Sequence, residues 1–323
     1  MARVLVTGGS GFIGTNAIAH LRQLNDDVLN FDIAPPADRR QQEHFRRVDL
    51  CDRTGLIAET AAWRPDVVLH LGACTNFNGV SPTIDYAANI AGVSNMIEAI
   101  DAAGSVRHAV FASTRLVQRI DYQGKGLFDY LPTNAYGESK AIGEQLVIRH
   151  GPRDAGWTIV RPTSVWGPWF NDPNRPFFEM IGRGLYVHPG HHNPPKQYSY
   201  VENAVAQLVG ITEAPRELVH RQTFYLTDYE PIRLQDWADD IQRTMNARPI
   251  RTAPSFVLRT AALLGDAVRP FWPRVPLTSF RWHNLITAVL FDIEPLRRAV
   301  PDLPFNSHEG VERTIAWMRS GVA

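Results

Sequence analysis

Cysteine and long apolar runs are both scarce in this chain. Its 323 residues include two cysteines, Cys51 and Cys74, whose separation does not match the spacing of a metal-binding motif. We therefore expect no disulfide framework and a reducing, cytoplasmic environment. Every apolar run is shorter than the roughly 18 residues that a membrane-spanning helix needs. The run after Met1 is also too short for a signal peptide, so we expect neither a membrane span nor a cleaved leader.

An excess of charge of either sign is absent as well. The chain has 33 basic and 33 acidic residues, which give a formal net charge of zero. Because nucleic-acid partners usually require a basic surface, we expect no nucleic-acid partner. Hydrophobic residues make up 44% of the chain, which is enough for one large or two modest domains with a buried core.

Short apolar runs alternate with helical patterns up to residue 162. The strand candidates are residues 3–7, 27–31, 45–48, 67–71, 109–112 and 158–161. The helical patterns between them cover residues 12–24, 54–62, 83–103 and 134–149. This alternation predicts an α/β fold, a Rossmann-type doubly wound parallel sheet over residues 1–162. Residues 163–323 are dense in proline and aromatic residues and predict mostly a smaller, mixed substrate-binding lobe, with some segments returning to the Rossmann domain.

The segment 256–291 combines apolar helical spacing with Trp272, Trp282 and several prolines. We expect ordinary packing for this segment, including packing at a subunit interface. A role at a membrane surface or against a protein partner is the alternative.

A glycine-rich loop follows the first predicted strand. Gly8, Gly11 and Gly14 lie between that strand and the first predicted helix. Glycines at these positions permit a tight turn, a close approach of the backbone to a pyrophosphate, and close packing of helix on strand. The helix N-terminus adds amide donors and a favourable dipole for phosphate. The loop therefore predicts a dinucleotide cofactor.

Asp32 ends the second predicted strand, where a carboxylate accepts hydrogen bonds from a ribose 2′-hydroxyl and repels a 2′-phosphate. This favours NAD over NADP. Arg39 and Arg40 follow in sequence, and we interpret them as part of a solvated loop rather than as phosphate ligands.

Tyr136 and Lys140 are separated by four residues, so one helix face presents both side chains. A nearby positive charge lowers the pKa of a phenol, and we expect this effect at Tyr136. The pair predicts a general acid/base. On its own the spacing is weak evidence, but downstream of a dinucleotide loop it is strong.

Together these residues resemble the extended short-chain dehydrogenase/reductase superfamily, and within it the NAD-dependent epimerase/dehydratase family that acts on sugar nucleotides. The resemblance spans most of the chain. Besides the residues above, it rests on Asp49-Leu50, His70-Leu71-Gly72-Ala73, Asn89, residues 111–114, Arg161-Pro162, residues 165–168, residues 200–204 and residues 291–293.

The resemblance implies a role for each matching residue. Thr114 corresponds to the catalytic serine or threonine that acts with Tyr136 and Lys140. The alternative for Thr114 is a strand-end hydroxyl that bonds its own backbone. The implied NAD site consists of Gly8, Gly11, Phe12, Ile13, Gly14, Asp32, Asp49, Leu50, Leu71, Gly72, Ala73, Asn89, Ser113, Tyr136, Lys140 and Pro162. The implied substrate site consists of Thr75, Thr114, Thr163, Ser164 and Lys196.

Several positions depart from the family pattern. Sugar-nucleotide dehydratases carry an Asp-Glu pair after their threonine, whereas this chain has Arg115 and Leu116, so we do not expect elimination of water. Lys196 stands where an arginine usually grips the nucleotide diphosphate, and lysine cannot do so bidentately. Ser164 replaces an asparagine of UDP-galactose 4-epimerase.

We expect an NAD-dependent epimerase of a nucleotide sugar, most simply a 4-epimerase, that oxidises its substrate transiently to a ketone. One alternative is a dehydrogenase or reductase of a sugar or other secondary alcohol with net hydride transfer. Another is a catalytically silent NAD-binding sensor or scaffold. The resemblance implies a homodimer. We expect no metal, and we interpret His188, His191 and His192 as a loop of the substrate lobe.

Overall fold

The computed structural model describes residues 1–76, 79–119, 126–170, 174–269, 271–272, 275 and 277–321. Its strands are β1 Arg3–Thr7, β2 Asp27–Asp32, β3 Phe45–Arg47, β4 Val67–His70, β5 His108–Ala112, β6 Gly156–Pro162, β7 Ser164–Trp166, β8 Val187–Pro189, β9 Pro195–Lys196, β10 Tyr198–Tyr200, β11 Gln222–Leu226, β12 Ile232–Arg233 and β13 Arg251–Ala253. Its α-helices are α1 Phe12–Gln23, α2 Arg53–Trp63, α3 Ala87–Ala103, α4 Ala135–His150, α5 Asn174–Gly182, α6 Val201–Glu213, α7 Arg216–Val219, α8 Leu234–Met245, α9 Ser255–Val268, α10 Ser279–Ile286, α11 Glu294–Ala299 and α12 Ser307–Arg319.

Seven strands form one parallel sheet in the order β11-β6-β5-β4-β1-β2-β3. The chain builds outward from β1 in one direction through β2 and β3, then returns to β4 on the other side. This reversal leaves a crevice at the carboxyl ends of β1 and β4, which is where ligands bind in open α/β sheets. The Rossmann-type doubly wound fold predicted from the sequence is confirmed.

Helices cover both faces of the sheet, which explains why its strands are apolar on both sides. Leu5 in β1 packs into one core with Met96 of α3. The neighbouring residues Val4 and Val6 point the other way, into a second core with Ile18 of α1. The alternation along β1 therefore anchors the strand in two cores, and this fixes the position of the glycine loop that follows it.

Two elements differ from the sequence expectation. The helix expected from residue 83 begins at Ala87, because the Asp85 carboxylate accepts hydrogen bonds from the backbone amides of Val80 (2.8 Å) and Ser81 (2.9 Å) and holds a turn there. Strand β11 comes from the second half of the chain and extends the sheet beside β6. The division of the chain at residue 162 remains a prediction.

An aromatic core lies in the second half of the chain. The ring of Trp166 is fully buried, and its centroid lies 5.1 Å from Tyr200, 5.2 Å from Trp237 and 5.9 Å from Phe178. Aromatic residues bury large apolar areas, which explains how this proline-rich half is held together without a large sheet of its own. Within the described ranges, no helix combines the length and the apolar character needed to cross a bilayer.

Candidate active site

The glycine loop is shaped by close backbone contacts. Gly8 has φ +69°, which favours glycine, and a Cβ there would lie 2.6 Å from the Cα of Gly72. A Cβ on Gly14 would lie 2.2 Å from the carbonyl oxygen of Gly8. A Cβ on Gly11, in contrast, would meet only that same oxygen, at 3.2 Å, and Gly11 is exposed. The loop is therefore closed toward the protein and open at Gly11, as a pyrophosphate-binding loop requires.

Helix α1 begins at this open side without a cap of its own. Gly11 is its N-cap, no side chain caps the helix, and no acidic residue lies in its first turn. The first amides of a helix have no intrahelical partner and carry a partial positive charge. A phosphate accepts hydrogen bonds from these amides and carries the opposite charge, so the N-terminus of α1 fits the dinucleotide expected from the sequence. Phe12 and Ile13, also expected at the cofactor, form the first turn and are partly buried.

Asp32 is fixed beside the loop by two backbone amides. Its carboxylate accepts hydrogen bonds from Ser10 (3.1 Å) and from Ala34 (3.0 Å), one on each oxygen. Each oxygen keeps a free lone pair for a further donor. Arg40 forms an ion pair with Asp38 at 2.8 Å. This arrangement is compatible with a ribose at Asp32.

The loop after β4 forms the other wall of the crevice. The hydroxyl of Thr7 accepts a hydrogen bond from the amide of Gly72 (3.1 Å) and contacts Nδ1 of His70 at 2.9 Å. Burial, with the Lys140 charge nearby, lowers the pKa of His70 to about 3, so the imidazole is neutral at pH 7. Leu71 bonds to the Thr7 carbonyl at 3.1 Å, and these contacts fix the segment Leu71-Gly72-Ala73 against β1.

The remaining expected adenine-side residues have different environments. Leu50 is buried, and its Cδ1 lies 2.7 Å from where a Cβ on Gly72 would stand. Asp49 is exposed, and its carboxylate accepts a hydrogen bond from the amide of Cys51 at 2.8 Å. Leu50 therefore borders the crevice loop, whereas Asp49 lies on the surface next to it.

Asn89 connects this loop to helix α4. It is fully buried, and its amide group exchanges hydrogen bonds with the backbone of Cys74 at 2.8 and 3.1 Å. It also donates to Ser139 at 3.0 Å, and Ser139 in turn donates to the carbonyl of Tyr136 at 2.7 Å. Asn89 therefore holds the β4 loop against α4, and its expected place at the cofactor stays a prediction.

Tyr136, Thr114 and Lys140 come together where α4 meets the end of β5. The hydroxyls of Tyr136 and Thr114 are hydrogen-bonded. Thr114 also accepts a bond from the amide of Leu116 at 3.3 Å, which leaves its own proton to donate to the tyrosine oxygen. The Thr114 hydroxyl therefore bonds both to its local backbone and to Tyr136. Lys140 is buried one turn further along α4.

The expected lowering of the Tyr136 pKa is wrong for the protein without cofactor. Burial raises the pKa of Tyr136 to about 12, and the hydrogen bond with Thr114 offsets only part of the rise. Burial also lowers the pKa of Lys140 to about 8, against the attraction of the Glu144 carboxylate. Removal from water disfavours the charged form of both groups, and here that effect outweighs their proximity.

Sequence reasoning missed an ion pair beneath the candidate site. Glu144 lies one turn beyond Lys140, and its two oxygens accept bonds from Arg161 of β6 at 2.8 and 2.7 Å. The two side chains are 1% and 0% exposed. Tyr130 donates a further hydrogen bond to Glu144 at 2.9 Å. The signal was present in the sequence, since Tyr136, Lys140 and Glu144 continue one stripe at intervals of four.

Tyr86 was missed as well. Its ring is 1% exposed, and its centroid lies 6.0 Å from that of Tyr136. Tyr86 donates a hydrogen bond to the carbonyl of Asn76. No motif distinguishes this tyrosine in the sequence, because it lies just outside the helix that carries Asn89.

Two further expected cofactor residues lie at the ends of β5 and β6. The hydroxyl of Ser113 is buried and, among the described residues, has no hydrogen-bond partner. A buried hydroxyl of this kind is available to a ligand. Pro162 ends β6 and is partly buried.

The expected substrate residues are not all equally available. Thr163 bonds to the carbonyl of Leu226 at 3.1 Å, and Ser164 contacts Asn174 at 3.3 Å. Thr75 is exposed on the loop after β4. Lys196 is 1% exposed, and its ammonium donates hydrogen bonds to the carbonyls of Asn284 and Thr287. The structure therefore assigns Lys196 to holding the segment 284–287, which differs from the phosphate contact expected of it.

Arg115 follows Thr114 directly and is largely buried. Among the described residues its guanidinium has neither a carboxylate partner nor a hydrogen bond, and its titratable neighbours are the ammonium of Lys196 and the phenols of Tyr198 and Tyr225. Burial lowers the pKa of this guanidinium. An arginine without an acidic partner, next to Thr114, suits an anionic group on a ligand.

The comparisons with known proteins agree with this geometry. Residues 4–226 match the model of the NAD dependent epimerase/dehydratase family. A 2-alkyl-3-oxoalkanoate reductase from Stenotrophomonas maltophilia is 26% identical, covering 96% of this chain and 98% of its own. An N-acetyl-alpha-D-glucosaminyl-diphospho-ditrans,octacis-undecaprenol 4-epimerase from Escherichia coli is 27% identical, covering 97% and 94%.

A solved structure shares the fold. The UDP-glucose 4-epimerase of Thermus thermophilus, in complex with NAD, superposes with a TM-score of 0.69 at 22% identity over 99% of both chains. At this identity the likeness shows the fold alone. The family match covers more than half of the chain and includes the glycine loop, the β4 loop and the Tyr136 helix. The chain therefore belongs to the NAD-dependent epimerase/dehydratase family.

Proposed function

We propose that the protein is an NAD-dependent epimerase of a nucleotide sugar, most simply at carbon 4, which works through a transient ketone. The observation that carries the proposal is the hydrogen bond between Tyr136 and Thr114 beside buried Lys140, at the carboxyl edge of the sheet. These residues form an acid/base group next to a loop that fits a dinucleotide.

In the proposed mechanism, Tyr136 removes the proton of a secondary hydroxyl as the carbinol carbon loses its hydride, and it returns the proton after the ketone has turned over in the site and has been reduced on its other face. NAD, when bound, supplies the hydride acceptor. With substrate bound, the Thr114 hydroxyl would turn from the Tyr136 oxygen to donate to the reacting oxygen and orient it. Lys140 makes no ion pair with any described residue, so its ammonium is available to the nicotinamide ribose and to the phenolate. Its positive charge then stabilises the charged form of Tyr136.

Two observations favour epimerisation over elimination of water. Elimination requires an acid beside the threonine, and the two positions after Thr114 are Arg115 and Leu116. The Escherichia coli relative that matches nearly the whole chain is a 4-epimerase of a lipid-linked sugar. The proposed cofactor and substrate sites consist of the residues expected from the sequence, with Asn89 holding the β4 loop beside the cofactor, and without Lys196, which binds the segment 284–287.

Replacement of Tyr136 with phenylalanine tests the mechanism. Turnover of UDP-sugars, measured as interconversion of the two epimers, should fall by on the order of 10²–10⁴ because an acid/base group is lost. Tyr186→Phe is the matched control, since its buried hydroxyl has no partner in the described part of the chain. That control should retain turnover and the melting temperature. Wild-type rates in Tyr136→Phe would refute the mechanism.

A net dehydrogenase or reductase is the second candidate. It is favoured by the placement of Lys196, which leaves no expected diphosphate ligand, and by Arg115, which suits a carboxylate close to the reacting carbon. The Stenotrophomonas relative is a reductase of an oxoalkanoate. Purified protein distinguishes the two, because an epimerase turns over with its bound NAD, whereas a dehydrogenase requires added NAD and releases reduced cofactor.

The third candidate, a catalytically silent NAD-binding sensor or scaffold, should bind NAD without turnover of nucleotide sugars or of other secondary alcohols. Both Tyr136 and Lys140 are present and buried together, as an active enzyme needs. Retention of NAD by a protein inert toward UDP-sugars and hydroxy acids would favour the silent alternative.

A further inference from the structure

Helix α9 exposes its apolar side chains. Phe256 is 71% exposed, Leu263 59% and Leu264 63%, while the buried residues of this helix are the small Ala262 and Gly265. Large apolar residues normally occupy the buried face of a surface helix. We name as the apolar surface the exposed residues Phe256, Val257, Leu263, Leu264, Val268, Phe271, Trp272 and Phe280. Packing within the described chain does not cover these residues, although Trp282 in the same segment is buried, and packing at a subunit interface stays a prediction.

The orientation of α9 is fixed by its small residues. A Cβ on Gly265 would lie 1.9 Å from the carbonyl oxygen of Leu277, so the helix is held against that segment at backbone distance. At 100° per residue, Ala262 and Gly265 share one face, and Phe256, Leu263 and Leu264 lie on the opposite face. Rotating the large side chains inward would drive them into the Leu277 backbone. The close contact at Gly265 therefore keeps the large apolar side chains of α9 on its exposed face.

Positive charge accompanies this surface in an otherwise neutral chain. The described residues 255–269 and 277–286 contain Arg259, Arg269 and Arg281 but a single acid, Asp266. The Asp266 carboxylate accepts hydrogen bonds from the amide of Ser279, at 3.2 Å on one oxygen. On α9, Arg259 is displaced toward one edge of the apolar stripe, where a long side chain can extend beyond it.

We propose that the apolar surface docks on an anionic lipid bilayer, with α9 lying in the plane of the interface. Phenylalanine, leucine and tryptophan on one face, with arginines at its edge, are the pattern of a helix that inserts among lipid headgroups. Trp272, which is 53% exposed, suits the boundary between acyl chains and water. A second copy of the chain would also cover the apolar residues, but its surface carries the same excess of arginine, so the charges favour an anionic lipid.

Flotation of the full-length protein with vesicles tests the proposal independently of catalysis. Vesicles of phosphatidylglycerol mixed equally with phosphatidylcholine should carry the protein upward, and vesicles of phosphatidylcholine alone should carry much less. Leu263→Glu should weaken partitioning about tenfold or more, because an apolar anchor is replaced by a charge. Arg259→Glu should weaken it about fivefold or more on anionic vesicles. Leu24→Glu, at a leucine that is 47% exposed in the Rossmann half, is the matched control and should bind like wild type.

Three results would overturn the proposal. The first is failure of the wild-type protein to float with anionic vesicles. The second is equal binding by Leu263→Glu and Leu24→Glu. The third is light scattering that shows an oligomer which Leu263→Glu dissociates, because the surface would then be an interface between copies of the chain.

Discussion

Helices α4 and α9 depart from the usual burial rule in opposite directions. Helix α4 buries Lys140 and Glu144, whereas α9 exposes Phe256 and Leu263. The buried charge of Glu144 is matched inside the protein by Arg161, at 2.7 Å. The exposed apolar residues of α9 have no such match within the described chain. The charged groups of α4 are therefore matched within the chain, whereas the outer face of α9 needs a partner to cover it.

This difference separates two kinds of function. Polar groups buried with their partners stabilise a fixed geometry, which chemistry requires. Apolar groups left in water are unfavourable until something covers them, which association requires. Mutations that remove the internal partners of α4 should therefore change stability strongly, and mutations on the outer face of α9 should hardly change it.

The largest expected effect follows from breaking the buried pair. Glu144→Ala leaves the Arg161 guanidinium uncompensated, and we expect a loss of about 3–5 kcal/mol of unfolding free energy. Denaturant titration followed by circular dichroism measures the change. Glu138→Ala, at an exposed position of the same helix, is the control and should cost less than about 1 kcal/mol. Equal losses in the two variants would show that the ion pair has no special role in α4.

A smaller effect is expected from the charge of Lys140. Its pKa is about 8 in the folded protein and near 10.5 when unfolded, so the unfolded chain binds more protons between these values. Unfolding free energy should therefore rise as the pH increases from about 8 to 10.5, by an amount on the order of 3 kcal/mol from this residue. Below pH 8 the full penalty of burying the ammonium remains.

Lys140→Met isolates that contribution, since Lys196 also has its pKa lowered to about 8 by burial and titrates in both proteins. The difference in unfolding free energy between wild type and Lys140→Met should shift in favour of wild type across this pH range. A difference that stays constant with pH would mean that Lys140 has the same pKa in the folded and the unfolded protein.

Much of the Rossmann sheet could be predicted from the sequence because its signals are local. Apart from β3, strands β1 to β6 are short apolar runs bounded by turns, and the loop with Gly8, Gly11 and Gly14 lies between a strand and a helix. Strand β11 was not identified, since its place depends on pairing with β6 across 60 residues of chain that carry no alternation. The pairing of Glu144 with Arg161 and the engagement of Lys196 by Asn284 depend on such distant contacts too.

The Tyr136 pKa was mispredicted for a related reason. Sequence spacing shows which charge is near the phenol but not how much water both groups lose. The loss of water depends on Tyr86, Thr114 and the β4 loop, which close over Tyr136 from three separate parts of the chain. Proximity in sequence therefore predicted the wrong direction of the shift, and the catalytic role of the pair stays a prediction.

The smallest expected effect tests the exposed apolar face of α9. Leu263→Ala should change the unfolding free energy by less than about 0.5 kcal/mol, because the side chain is already 59% exposed and leaves no cavity. Met96→Ala, at a fully buried position of α3, should cost about 2–5 kcal/mol and provides the reference. Thermal unfolding of both variants measures this contrast. If Leu263→Ala proved as costly as Met96→Ala, α9 would be packed in solution against protein. Its apolar face would then be covered by protein, as the Glu144–Arg161 pair of α4 is, and would not be free to bind a bilayer.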